Sequence, residues 1–303
     1  MLREAKNAVY VEGILSEIDA NYGSRVANGK TINYISGKII VRAEDIVNGA
    51  PVTSEVPINI YANELKKGTN DKNKLYLGFE TVINEFKSIA AVGLEQADAV
   101  RISGASLQQN VFYNTDGKEN NYTQIRANFI KRIPRSNLKP QVNFVAEIFF
   151  AGHRDIEDEE GMPSGKIEIT GVVPIYGGRI EVHKFTTSNP DVVDFFTSSV
   201  QKYDTLQVNG QGVFTSEEIV RTIPVAVGEP PVRTYTKRHQ EFLIEYCSFP
   251  YDDDLAFDVD EIAAAKAVYE ARLAEKKQKD MNRQASKVTP APSQAVSGKD
   301  LGF

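Results

Sequence analysis

The sequence predicts a mainly β protein made of two copies of one small barrel, and three observations predict it. Residues 8–135 hold five runs of strand-like residues with one helical stretch among them. Residues 136–250 pass through the same order again. The residues that follow each helical stretch also share a pattern. Asp98-Ala99-Val100-Arg101-Ile102-Ser103-Gly104 and Asp204-Thr205-Leu206-Gln207-Val208-Asn209-Gly210 both read Asp-x-apolar-polar-apolar-polar-Gly. Self-similarity at the same place in the element order is the mark of a duplicated unit.

The first copy starts with a β-branched run over residues 8–19, expected to end in the turn Asn21-Tyr22-Gly23-Ser24. The second strand spans 31–42, where Ile35, Ile39 and Val41 fall on one parity and Tyr34, Lys38 and Arg42 on the other. Val56, Ile58 and Ile60 form a third strand, alternating with Asn59 and Tyr61. Period-two alternation of this kind places one parity in a core and the other in solvent. Leu75, Phe79, Val82, Ile83, Phe86 and Ile89 then recur at spacings of three and four, which predicts an amphipathic helix over 75–91. Strands over 99–108 and 122–133 follow, joined by the turn Asn114-Thr115-Asp116-Gly117. Five strands with a helix between the third and fourth is the element order of the OB-fold, a five-stranded Greek-key barrel.

The second copy repeats it, with strands over 142–151, 166–175 and 179–185, a helix over 191–203 introduced by Pro190, and strands over 204–210 and 241–246. The expected organisation is a first OB-fold over 1–135, a second over 136–250, an acidic stretch and helix over 251–280, and a disordered tail over 281–303. The last is rich in Ser, Ala, Pro and Gln with few apolar residues. Pro134 and Pro140 bound a short linker between the barrels.

Composition narrows the function. The 303 residues are 41% hydrophobic and 25% charged, an ordinary globular balance. No stretch nears 18 consecutive apolar residues, and residues 1–7 have no apolar core of a signal peptide. The one cysteine, Cys247, excludes an intramolecular disulfide, so a cytoplasmic protein is expected. The net charge of −6 is unevenly spread: residues 1–135 hold 17 Lys and Arg against 15 Asp and Glu, and residues 136–250 hold 10 against 16. The first copy is therefore the better partner for a polyanion.

Catalytic chemistry is not expected. Gly23 to Thr31 resembles a phosphate loop, but it has five residues between its glycines instead of four and strands on both sides, so it reads as a hairpin loop. His153, His183 and His239 belong to no metal-ligand motif, and Cys247 reads as structural. The acidic run 155–160 reads as a solvated loop. The expectation is a non-enzyme with no cofactor and no metal.

What remains is a surface. Strands two and three of an OB barrel carry its usual ligand face, where phosphates meet cations and bases stack on rings. The solvent parity there supplies Tyr34, Lys38, Arg42, Asn59 and Tyr61, and strands four and five add Arg101, Phe112, Tyr113, Tyr122 and Arg126. Rings interleaved with cations are what a single-stranded nucleic acid requires, because every base presents a π-face. The second copy has only scattered cations among many acids.

Val11-Glu12-Gly13, Ile35-Ser36-Gly37-Lys38, the helix over 79–89 and Ile125-Arg126-Ala127-Asn128-Phe129-Ile130 resemble replication single-stranded DNA-binding proteins of bacteriophages of Gram-positive hosts, across roughly residues 8–275. The resemblance implies tandem OB-folds that coat single-stranded DNA during phage replication or recombination. It also implies a partner-binding tip at the chain end, here Asp300, Leu301 and Phe303, although one Asp beside Lys299 falls short of an acidic tip and Gly302 stands where proline is usual. The acidic-aromatic run 251–257 is the alternative tip, or a mimic of DNA. The competing expectation is a structural or assembly protein of the virion that uses its barrels for protein contacts alone.

Overall fold

Alternation governs the strands of the computed structural model, which describes residues 2–27, 29–158, 160–222, 232–252 and 254–288. In the first barrel β1 (Asn7–Ala27) pairs antiparallel with β2 (Lys30–Val47), and β2 with β3 (Ala50–Asn63). Next to β3 runs β5 (Glu119–Arg126), parallel to it; β4 (Ala99–Tyr113) pairs with β5 and closes on β1. The closed order 1-2-3-5-4-1, with α1 (Lys74–Glu85) and α2 (Ile89–Val92) between the third and fourth strands, is that of an OB barrel. Ile35, Ile39, Val41, Val56 and Ile58 are wholly buried inside it, each contributing about 1.5–3 kcal/mol over exposure.

The second barrel repeats the plan. Its strands are β7 (Gln141–Glu157), β8 (Pro163–Ile175), β9 (Arg179–Thr187), β10 (Thr205–Thr222) and β11 (Val232–Cys247), and α3 (Pro190–Ser198) precedes β10. They close in the order 7-8-9-11-10-7. The Asp-to-Gly pattern has the same job in both copies. The carbonyl of Asp98 accepts from the Leu15 amide at 2.9 Å, and that of Asp204 from the Phe150 amide at 2.8 Å. A β-bulge follows each acceptor's partner, between Leu15 and Glu17 and between Phe150 and Gly152.

The barrels are fused by their first strands. Asn7–Glu12 of β1 pairs antiparallel with Ala146–Gln141 of β7, making one continuous sheet, and a single apolar cluster runs through both barrels. Across this junction His183, 1% exposed, holds Thr123 Oγ1 at 2.9 Å and Glu181 Oε2 at 3.2 Å, while Glu181 Oε2 also accepts from the Gln109 amide.

Several local expectations change. The turn expected at Asn21–Ser24 is strand; β1 continues until Ala27 pairs with Lys30. The next hairpin turns at Asn48 and Gly49, with φ of 50° and 78°, between Val47 and Ala50. Positive φ at both central residues is the type I′ geometry whose twist matches the flanking strands, and Asn-Gly is its preferred spelling. The helix expected over 75–91 breaks after Glu85, and Phe86 is extended. The single strand expected over 122–133 divides into β5 and β6 (Phe129–Ile133), the latter on β4. The acidic run 155–160 is strand as far as Glu157.

The C-terminal helix α4 (Val259–Val288) is longer than expected, so residues 281–288 are helical instead of disordered. Its buried Ile262, Ala265 and Tyr269, spaced three and four apart, strap it across both barrels, and Tyr269 Oη accepts from Gln109 Nε2 at 2.8 Å. Residues 289–303, with Asp300, Leu301 and Phe303, lie outside the described residues. Phe257, named above as part of a free acidic-aromatic tip, is 4% exposed with the Arg3 guanidinium 4.1 Å from its ring centre. It belongs to the core.

Candidate nucleic-acid interface

Register brings five of the proposed residues together. Lys38 on β2 stands opposite Asn59 on β3, and Asn59 stands beside Arg126 on β5. Partners in register share a face, so these three form a row across the sheet. One step along, the rings of Tyr34 and Tyr61 stack with centroids 5.6 Å apart and planes at 29°. The Arg126 guanidinium lies 5.9 Å from the Tyr61 centroid.

Local contacts hold the strip in place. Tyr61 Oη donates to Asn63 Oδ1 at 2.7 Å, and Asn59 Nδ2 donates to the Ile125 carbonyl at 3.3 Å. Tyr34 lies over Gly23, its register partner on β1, where a Cβ would meet the ring at 2.6 Å. Any other residue at 23 would displace the ring. Among the described residues neither Lys38 nor Arg126 has a carboxylate within ion-pair distance. Free cations beside stacked, half-exposed rings are suited to a polyanion that carries flat bases.

The other five are placed differently. Phe112 and Tyr122 are exposed and meet edge-on at 6.2 Å, with Tyr122 Oη accepting from Asn110 Nδ2 at 2.7 Å. Tyr122 borders the same cleft as Lys38 and Asn59. Arg42 Nη2 is bound to Glu44 at 2.9 Å. Arg101 Nε donates to the buried Glu12 at 2.6 Å, on the part of β4 that pairs with β1 and away from the strip. Tyr113 is 5% exposed, under Lys277 of α4; burial, then its hydrogen bond to Glu119, pushes its hydroxyl pKa up to about 12. That ring is core, unavailable to a ligand.

Sequence reasoning missed the opposite wall of this cleft. Phe214, Thr215, Arg238, His239 and Gln240, from β10 and β11, stand across it from Lys38 and Asn59, enclosing about 590 Å³. The Phe214 amide donates to Ser54 Oγ at 3.1 Å, and Gln240 Nε2 donates to the Thr123 carbonyl. The signal was faint, because Thr, Glu, Lys and Arg fill both parities of 215–221 and 233–241.

Burial pushes the Cys247 thiol up to about 11, away from the thiolate form a nucleophile needs. Among the described residues no three His, Cys, Asp or Glu side chains gather to hold a metal ion, and no helix is long and apolar enough to cross a membrane.

Two closed barrels with a ring-and-cation strip on one of them define a tandem OB-barrel protein. The chain belongs to the YorF family, which matches residues 6–279. Among solved structures it is similar to the wild-type single-stranded DNA binding protein of Thermus aquaticus, at 10% identity and a TM-score of 0.47, over 82% of this chain and 95% of that one. A deletion mutant of the same protein is similar at 12% identity and a TM-score of 0.47, over 82% of this chain and 97% of that one. No curated protein matches.

Proposed function

We propose that this protein binds single-stranded DNA without sequence preference, chiefly through the first barrel, and acts in the cytoplasm of a phage-infected cell during DNA replication or recombination. The observation that carries the reading is the strip Tyr34–Tyr61–Arg126 with Lys38 beside it. Stacking on such rings is worth about 1–3 kcal/mol per base and tolerates any sequence. The phage setting rests on the sequence resemblance alone. No catalysis and no cofactor belong to this reading. The chain end, with Asp300, Leu301 and Phe303, is proposed to dock a replication partner.

The test is a titration with labelled poly-dT at two salt concentrations, read also by tyrosine fluorescence, since the chain has no tryptophan. Binding is expected to quench that emission. Its affinity is expected to fall with salt at a slope of roughly −0.7 per phosphate contact on single strands. Equal affinity for duplex and single strand, or no salt dependence, rejects the reading. The second reading, a virion assembly protein, draws on the ion-paired surface of the second barrel, where Arg154 and Lys184 are both held by Glu168. It predicts no DNA binding at any salt concentration.

A further inference from the structure

One end of the strip, at Lys38 and Asn59, lies in a cleft and is not an open surface. Residues of β10 and β11 border one cleft together with residues of β1, β2, β3 and β5 of the first barrel. The β10–β11 ribbon is fastened at its base by Phe214 to Ser54, by Gln240 to Thr123, and by Gln211 Nε2 to the Ile46 carbonyl at 3.1 Å. Past these anchors the strands stay paired out to Thr222 and Val232, and Arg238 lines the cleft across from Lys38. Arg238 and Lys38 are both exposed, and neither has an ion-pair partner among the described residues.

The cleft is also polarised. Glu55 stands opposite Arg42, Glu17 opposite Ile40 and Asp19 opposite Lys38, so the acids run from the Arg42 end of β2 as far as the Lys38 row and no farther toward Tyr34. In the other direction Lys38 is followed by Ser36 and Tyr34, which pair with Asn21 and Gly23 on β1 and with Tyr61 and Asn63 on β3. The partners of Ser36 and Tyr34 are all uncharged, so the register partners beyond the Lys38 row carry no acid to oppose a phosphate. The cleft's volume, about 590 Å³, lies in the range that small-ligand sites occupy.

We propose that the β10–β11 ribbon of the second barrel is the second wall of the strand-binding site. A single strand passes between Lys38 on the first barrel and Arg238 on the ribbon and leaves over Tyr61 and Tyr34. This rests on the reading of the first barrel's face as strand-binding. The second barrel then takes part in binding through its ribbon, although its own equivalent face is neutralised.

The experiment compares full-length Arg238→Gln and Lys237→Gln with the unaltered protein in the poly-dT titration. Both positions are exposed, and each variant removes one positive charge from neighbouring residues of one strand, whose side chains point to opposite faces. Arg238→Gln is expected to weaken binding about tenfold and reduce the salt slope by roughly 0.7, the value of one lost phosphate contact. Lys237→Gln is expected to change affinity by less than about twofold, as befits an exposed charge outside the path. Equal, small effects of the two variants overturn the ribbon wall. If Lys38→Gln and Tyr61→Ala still weaken binding in that case, the reading of the first barrel's face survives. If those two are silent as well, that reading fails and the ribbon wall fails with it.

Discussion

The two barrels share strand order, closure and even the backbone bond made by Asp98 and Asp204, yet their equivalent faces have opposite chemistry. On β2 and β3 the solvent parity carries Tyr34, Lys38 and Tyr61, with the cation free. On β8 and β9 the same position holds Glu168, which binds Arg154 at 2.9 and 3.0 Å and Lys184 at 2.9 Å. Beside it Glu241 gathers Lys166, His239 and Thr186. A cation already matched to a carboxylate offers a phosphate little, because the new contact must break the old one. Duplication preserved the barrel, which depends on the inward parity, and left the outward parity free to diverge. Fold and site are separable in this way because alternate residues of a strand face different surroundings.

The largest test of this contrast is removal of the rings. Tyr34→Ala and Tyr61→Ala are each expected to weaken poly-dT binding by about 1–3 kcal/mol, while Lys184→Ala in the second barrel changes it by less than about twofold. Comparable losses from both barrels, with the variants still folded by circular dichroism, would erase the distinction. A smaller effect of opposite sign is expected of Glu168→Gln. Freeing Arg154 and Lys184 should raise affinity for single-stranded DNA a few-fold at low salt and hardly at all at high salt, where exposed charges are screened. Its stability should fall modestly, since the cations are exposed but the largely buried Glu168 carboxylate is held below its usual pKa by them.

The smallest effect concerns acid. Burial opposes ionisation of Glu147, Glu168 and Glu241. The Lys6 amide with Arg3, the side chains of Arg154 and Lys184, and those of Lys166 and Thr186 outweigh it respectively, so all three carboxyls are held below their usual value. A depressed folded-state pKa stabilises the fold above the unfolded value, near 4.5, and that contribution is lost as pH falls through the folded values. Glu245 runs the other way, raised by burial and then by Asp45. The three lowered carboxyls all lie on strands of the second barrel and outnumber Glu245, so hydrogen-exchange protection there should drop before that of the first barrel as pH falls below about 4.5. Simultaneous loss in both barrels would mean that their shared core governs acid unfolding.

Much of the architecture was legible because it rests on periodicity. The buried parities of β2 and β3, the helix-phased Phe79 and Val82, and the repeated Asp-to-Gly pattern all match the structure. Boundaries were less so. Asn48-Gly49 and Asn28-Gly29 are turn spellings, and reading them as such would have extended the first three strands to their observed lengths. The candidate strip was half legible. Tyr34, Lys38, Asn59, Tyr61 and Arg126 could be chosen by parity, but parity could not separate them from Tyr113, which has the residue type of a ligand contact and the environment of a core residue. Its burial comes from α4, whose Lys277 and Asp280 reach it from 164 and 167 positions away in the chain.

By itself, then, the sequence determined which side of each strand is apolar, where the helices interrupt the strands, and that one barrel plan is used twice. These follow from local alternation and from solvation of single side chains, which neighbours in the chain suffice to set. Only the tertiary structure decided that β1 pairs with β7 to fuse the barrels, that α4 straps across them, and that the β10–β11 ribbon stands over the Lys38–Asn59 row. The physical reason is that each is a contact between distant segments, chosen by which edges and faces remain unpaired once both barrels have closed. Such a choice has no period to read.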